Sequence, residues 1–501
     1  MTAITLTTKQ PEVHAWREEV ARRHRAGERF AGLFATASDA GLRLTAALAM
    51  DSRLDLLDTL LPDSAESYPA LTPLVPAAFW YEREIHDLFG VRADGHPRLD
   101  PLVLPLRDSD PRPRPGSVSE LPALTPHEEP VAGHLDGAGL FTLPHGPVRS
   151  GVLESVEYLV ETPGEDIPHL RVRPYAKHRG IEKRFETLDP ATGVLLAERV
   201  EGIASVAHAI AYSAALEDLT GVDPPPAAGM IRVVHAELER IANHLDVAMR
   251  LCDAAALGVA TARFGWHKER ILRLRSAICG SRYGRGVVTP GGVCAPLALP
   301  AAEIVAHLEI LECDIGGDEG AAMNTPSFLD RLRTTGPLPA ELARRHGALG
   351  PIGRASGTAE DVRVSRPYAG YRALPVVAVI EHTGEDVQAR LRVRWSELHE
   401  SFRLLRLALT RLADLGNQPD EHGLRLDVPL RDGRGLGWAE APQGEVLYVV
   451  EVAGGRLKRV KPRSASFHNL LLFHAVFAGD IFTDFPFIEA SFGLSIAGVA
   501  L

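Results

Sequence analysis

Cysteine is scarce. The chain has four in 501 residues, Cys252, Cys279, Cys294 and Cys313, and no C-x-x-C pair. Iron and nickel in thiolate centres need sulfur ligands converging on one point, and this spacing offers no preformed pair. Scattered single thiols fit a reducing compartment and a buried structural role. An excess of positive charge is also missing: Lys and Arg number 54 against 65 Asp and Glu, a net charge of -11. That balance disfavours nucleic acid, whose phosphates call for a basic surface. Long apolar runs are absent too. Gly202–Leu216 is short and Gly286–Ala302 is interrupted by proline, whereas a bilayer span needs ~20 apolar residues. The opening MTAITLTTKQPEVHAW has no apolar core segment, so no secretory signal is expected. Neither G-x-G-x-x-G after a strand nor a Walker loop occurs, which removes the usual phosphate cradles.

What is present is ample core material, 45% hydrophobic residues, in a length that corresponds to roughly two to four domains. Prolines crowd the segment Pro105–Pro130. Each removes a backbone donor and fixes φ, so neither helix nor sheet interior is expected there. The segment reads as a linker over 105–133, between a small domain at 1–104 and a large one at 134–501, its second half equally consistent with a strap across the large domain. In the first domain a helix is expected around Glu12–Arg25, and two strands in Phe30–Met50 around a turn at Ser38–Gly41. In the second, Leu143–Gly164 alternates like paired strands. Helices are expected over Glu198–Gly221, over Met230–Leu251, near Lys268–Cys279 and over Val387–Leu412. The Met230 helix carries an apolar stripe through Ile231, Val234, Leu238, Ile241, Leu245 and Ala248, leaving Glu237, Glu239 and Arg240 to solvent or a partner. The fold class is α+β: a small α/β domain, then a mostly helical domain with peripheral sheet.

Two motifs identify the parts. FWYEREIHDLFG, Phe79–Gly90, resembles the W-Y-E-R-E-x-x-D-x-F-G signature of the 30 kDa-type hydrophilic subunit of respiratory complex I. Trp80, Glu82, Arg83, Glu84 and Asp87 read as an interface and folding element, the charged ones at helical spacings that favour surface ion pairs. PYAKHRGIEKRFE, Pro174–Glu186, and ERVEGIASVAH, Glu198–His208, resemble the core of nickel-iron hydrogenase large subunits of the energy-converting, formate hydrogenlyase type and of the related complex I subunit. ELERIANHL, GVVTPGGV, GPIGRASGTAEDVR and GEDVQARLRVRWSELHES follow in the family's order.

The departures from that pattern converge on one place. Glu201 and Ala204 stand where hydrogenases carry a C-x-x-C pair, and Ser495 and Gly498 where the C-terminal cysteines would be. Gln443 in EAPQGE replaces the family's arginine, Arg149 a histidine of the opening hairpin, and Gly202 the tyrosine that holds quinone in complex I. No metal ligand set remains. Glu201, Ala204, Ser205 and His208 share a helix face by spacing, so a carboxylate and an imidazole there have the chemistry of a proton relay or a weak metal site, the commoner alternative being a satisfied buried polar pair. Glu154 matches a family glutamate beside the proton exit. Those three, Glu201, His208 and Glu154, are the catalytic candidates.

The resemblance further implies that His178, Arg179 and Arg199 face an iron-sulfur cluster in a partner subunit, the alternative for Arg179 being an ion pair with Glu182 or Glu186 nearby. It implies no directly bound cofactor, with quinone left open. The implied role is the large hydrophilic subunit of a membrane-associated energy-converting oxidoreductase complex, with the nickel-iron site lost. It would dock an iron-sulfur small subunit and antiporter-like membrane subunits on the inner face of the cell membrane. The alternatives are a non-catalytic scaffold or coupling subunit of an ion-translocating complex and, third, a functional hydrogenase large subunit.

Overall fold

The computed structural model describes residues 12–107, 109–117, 139–149, 154–381, 384–415 and 423–501. Helix α1 (Val13–Arg25) leads into three antiparallel strands, β1 (Arg29–Ser38), β2 (Gly41–Met50) and β3 (Arg53–Leu61), paired in that order. The β1–β2 turn falls at Ser38–Gly41, as expected. Strand β3, RLDLLDTLL, gives no clear signal in the sequence because its leucines do not alternate strictly. Successive side chains of a strand point to opposite faces, and here both faces are apolar. Leu33, Leu44, Ala46 and Leu57 join the main core, where buried Trp16 of α1 donates its indole N–H to the Leu57 carbonyl at 2.9 Å. Ala31, Phe34, Ala47, Leu54 and Leu56 form the opposite face. Helix α2 (Phe79–Phe89), the WYERE segment, closes this part of the chain.

The longer part opens with an antiparallel sheet of β4 (Phe141–His145), β5 (Glu157–Thr162) and β6 (His169–Arg173), then the short α3 (Ile181–Phe185). Its helical body is α4 (Ser205–Thr220), α5 (Pro226–Ala254), α6 (Gly258–Cys279), α7 (Ala301–Met323) and α8 (Val387–Asp414). Helix α6 starts ahead of the expected Lys268, and α7 was not anticipated at all. The meander β7 (Gly433–Ala441), β8 (Gly444–Ala453) and β9 (Arg456–Arg463) comes next, and α9 (Phe485–Phe492) leads to the C-terminal segment. Leu436, Leu447 and Val449 of this second meander close the open face of the first. Its other face receives α4 at unusually close range. A Cβ at Gly435 would lie 2.0 Å from the Ala215 carbonyl oxygen, and one at Gly437 2.0 Å from that of Ala211, so glycine alone permits the approach.

Several charges expected at the surface are interior. Trp80, Glu82, Arg83, Glu84 and Asp87 are all buried, which corrects the reading of Glu82, Arg83, Glu84 and Asp87 as surface ion pairs. Glu82 accepts from the Leu71 and Thr72 amides (2.7 and 2.9 Å), and Asp87 from those of Leu102, Val103 and Leu104. Arg83 donates to the Asp100 and Pro101 carbonyls. Burial costs a charge several kcal/mol unless it finds such partners, so this helix positions the segments on both sides of it. Trp80 packs edge-on against Phe467, and Glu84 meets Lys461 of β9 at 2.6 Å. The interface this motif forms is therefore with the second part of the same chain. Glu237, Glu239 and Arg240 of α5 are likewise buried rather than solvated. Of the cysteines only Cys252 is buried, while Cys294 and Cys313 are exposed.

The described stretch from Pro105 to Ser117 holds no helix or strand but is pinned to both parts. The Pro115 carbonyl accepts from Ala37, the Gly116 amide donates to Glu186, and Lys183 donates to the Ser117 carbonyl. The rest of the proline-rich segment lies outside the described residues.

Lys461 sits between Glu84 (2.6 Å) and Glu182 (2.5 Å), with Arg459 also on Glu182 at 2.7 Å. Lys461→Met strands the buried Glu84 carboxylate, leaves Glu182 to Arg459 alone, and is expected to lower the unfolding free energy by about 3–5 kcal/mol, less when Glu84→Gln accompanies it. Equal denaturant midpoints for wild type and K461M would refute this latch. A second expectation concerns Glu239, which accepts from the Val206 and Ala207 amides (2.8 and 3.1 Å) and so caps α4. Burial pushes its carboxyl from 4.5 up to about 7, against the pull of Arg275. A raised carboxyl binds its proton more tightly folded than unfolded, so its contribution to stability declines as pH rises through that window. Glu239→Gln should flatten the decline measured by denaturant unfolding between those pH values; an unaltered slope contradicts it.

Candidate functional site

The site lies where the turn before α4, the C-terminal segment and the central strand β8 meet. Helix α4 begins at Ser205, so Glu201 sits in the preceding turn and not on the expected helix face. The turn nevertheless brings its carboxylate to 3.9 Å from His208 Nε2, both side chains sealed from solvent. His208 Nδ1 is 2.8 Å from the Tyr448 hydroxyl. Burial, and then the charge of Glu201, push the Tyr448 phenol well above its ordinary range. Glu201 Oε1 and His208 Nε2 have no hydrogen-bond partner among the described residues. The three side chains form a buried line, carboxylate to imidazole to phenol. Tyr448 was invisible in the sequence because nothing local ties it to His208, which is 240 residues away.

The C-terminal segment closes on this line. Gly498 lies directly against Glu201: a Cβ there would fall 1.7 Å from Glu201 Oε1. Ala204 contributes only a buried methyl group. The Ser495 hydroxyl donates to Glu154 at 2.8 Å, and the Ile496 and Ala497 amides donate to the same carboxylate. Glu154 is thus the anchor of the C-terminal turn. Among the described residues no group of three or more His, Cys, Asp and Glu is placed to hold a metal ion.

A cleft of about 360 Å³ opens beside this anchor, lined in part by Arg149, Glu154, Tyr158, Phe473, Phe492 and Ser495. Arg149 grips Glu489 through two contacts, 2.6 and 3.0 Å, and lies over the Tyr158 ring, whose hydroxyl donates to the same Glu489 at 3.0 Å. This clamp was not legible in sequence beyond Arg149 itself. Gln443, in the β7–β8 turn, is buried with neither amide atom hydrogen-bonded among the described residues.

Arg179 does not pair with Glu182 or Glu186. Its guanidinium donates to the carbonyls of Arg199 (2.8 Å), Val200 (2.7 Å) and Ala497 (2.7 Å), tying the turn before Glu201 to the C-terminal segment. Burial lowers its pKa while Glu154 and Glu201 support its charge. Arg199 is half exposed and folds back onto the Leu195 carbonyl, with Glu198 at 3.6 Å. Burial pulls His178 down to about 4, so its imidazole is neutral at pH 7. Among the described residues no helix is long and apolar enough to cross a membrane.

Comparison with known proteins agrees with this architecture. The family "Respiratory-chain NADH dehydrogenase, 49 Kd subunit" matches residues 253–500, and "Respiratory-chain NADH dehydrogenase, 30 Kd subunit" matches residues 18–111. Formate hydrogenlyase subunit 5 of Escherichia coli (strain K12) is 30% identical over 438 residues, 85% of this chain and 75% of that protein. The carbon monoxide-induced hydrogenase of Rhodospirillum rubrum is 30% identical over 354 residues, covering 70% of this chain and 96% of that one. Hydrogenase-4 component G of Escherichia coli (strain K12) is 28% identical over 454 residues, 87% and 76% of the two chains. The two family matches fall in the same order as the two parts of the fold described above, and the chain belongs to the family of complex I 49 kDa subunits and hydrogenase large subunits of energy-converting complexes, preceded by a complex I 30 kDa domain.

Proposed function

We propose that this chain is the large hydrophilic subunit of a membrane-associated energy-converting oxidoreductase complex, that it docks an iron-sulfur subunit, and that it has given up the nickel-iron centre. One observation carries the last point: the Glu201 carboxylate fills the space into which a side chain at 498 would project. A low-valent nickel and iron pair calls for four soft thiolates. The four positions that correspond offer a carboxylate already packed, a methyl group, a hydroxyl committed to Glu154 and a hydrogen. These residues do not fit the metals.

The docking face in this reading is the edge carrying His178, Arg179 and Arg199. Exposed Arg199 supplies a cation there, and a fixed positive charge stabilises the reduced, more negative cluster of a partner. Arg179 has the further task of holding the adjoining turn. Any small carrier, a quinone among them, would enter the cleft beside Arg149 and Tyr158, where Glu489 keeps both polar groups oriented. The sealed line Glu201–His208–Tyr448 favours a second reading, in which the protein acts as a coupling or scaffolding element and turns over no substrate, because no reactant reaches a pair that solvent does not.

Elemental analysis of the purified native complex is expected to find no stoichiometric nickel; about one nickel per chain would overturn the reading. Gly498→Ala should cost on the order of 1–3 kcal/mol through overlap with Glu201, and Glu201→Ala in the same chain should recover most of it. Additive losses in that double-mutant cycle would mean the two positions do not share space. Arg199→Ala should leave unfolding unchanged while weakening association with the iron-sulfur subunit or lowering its cluster potential. Unchanged affinity together with unchanged potential would remove Arg199 from the docking face.

A further inference from the structure

A cleft larger than the one beside Glu154 lies elsewhere in the molecule. It lies where the two parts of the chain meet, has a volume of about 790 Å³, and is bounded by Thr72–Trp80 and Gly95–Arg98 on one side and by β6, Arg345–His346 and Leu470–His474 on the other. Two kinds of surface form it. The floor is apolar and stiff, with Pro76, Pro97, Phe79, Trp80, Leu470 and Leu471. Prolines present no N–H and little freedom to move. The rim is cationic: Arg98, Arg171 and Arg345, with the imidazoles of His169, His346 and His474 between them.

In a chain of net charge -11, such a concentration does not follow from composition. Two carboxylates oppose it from neighbouring elements. Glu161 on β5 holds His169 (3.3 Å) and Arg171 (3.4 Å), and Asp100 is shared by Arg98 (2.9 Å) and buried Arg83 (3.2 Å). Arg345, exposed at the mouth, has no carboxylate paired with it among the described residues. His346 Nδ1 is buried there without a hydrogen-bond partner among the described residues, a polar atom that water or an occupant of the cleft can satisfy. Arg98 also lies over the Phe79 ring at 5.4 Å, so charge and flat apolar surface adjoin.

We propose that this cleft is a binding site for a small organic anion, which sets a phosphate, sulfonate or carboxylate against Arg98, Arg171 and Arg345 and rests an apolar body on the Phe79–Trp80 and Leu470–Leu471 floor. The volume is that of a small-molecule site, with a mostly apolar lining and a few convergent polar groups, and far exceeds what a bare ion fills. Arginine suits the charged end, since its planar fork meets such oxyanions through paired hydrogen bonds. An occupant would touch both parts of the chain and so stabilise their union by mass action.

The test uses the full chain. Naphthyl phosphate, titrated calorimetrically, is expected to bind saturably at one site per chain and to raise the thermal midpoint. Neutral naphthol should bind roughly tenfold more weakly, and Arg345→Gln should weaken naphthyl phosphate roughly threefold to tenfold, the range of one partly exposed charge contact. Arg345→Lys should restore most of the loss. Because Arg345 is exposed, R345Q should fold normally, and Arg98→Gln, which leaves Asp100 to Arg83, gives a second arm. Flotation with phosphatidylglycerol against phosphatidylcholine vesicles identifies the source of the anion: capture by the former alone, lost in R345Q, points to a lipid headgroup, and no capture to a soluble molecule. The proposal falls if naphthyl phosphate shows no saturable binding, if naphthol binds equally well, or if R345Q and R98Q both titrate as wild type does.

Discussion

A sheet with neither face left to water is the constraint on which the rest of this molecule depends. The meander β7–β9 is covered on one side by the N-terminal meander and on the other by α4, the latter so closely that Gly435 and Gly437 cannot carry side chains. Burying both faces removes a large apolar area from water. It also traps most of the charged residues the strands carry, Glu440, Glu445, Glu451, Arg459, Lys461 and Arg463 among them. Glu445 is therefore held by three arginines from separate stretches, Arg29, Arg366 and Arg463, and their charges keep its carboxyl well below the usual range against the effect of burial. Lys461 and Arg459 are neutralised by Glu84 and Glu182 in the same way. Such pairs are costly to desolvate and costlier to break singly. The two family-defined parts consequently behave as one packed body over the described residues, although their sequences match two different families.

The same sheet places the candidate site. Tyr448 is on its central strand, His208 on the helix laid against it, and Glu201 in the turn that the Glu239 cap and the Arg179 clamp hold in position. The C-terminal segment then folds over the line, fixed by Glu154 and Arg179. There the Glu201 carboxylate packs against Gly498. The line from Glu201 through His208 to Tyr448 is sealed from solvent, while the cleft beside Arg149 is open.

Sequence alone determined a good deal. Helical periodicity gave α1, α4, α5 and α8, turn chemistry gave the β1–β2 hairpin, and the order of motifs gave the family and the α+β class, because these signals are local or are carried in unbroken stretches. It also brought Glu201 and His208 together, seven residues apart. What only the tertiary structure decided are the partners. Glu82, Arg83, Glu84, Asp87, Glu237, Glu239 and Arg240 have the spacing of solvated ion pairs, and periodicity cannot distinguish a charge facing water from one facing buried partners, whether backbone groups, as for Glu82, Asp87 and Glu239, or a counter-charge hundreds of residues away, as Lys461 is for Glu84. Tyr448 beside His208, Glu489 beneath Arg149, Glu201 against Gly498 and the cationic cleft between the two parts all come from such long-range closures. They are set by which faces have no other way to leave water, and that is a property of the assembled layers rather than of any segment.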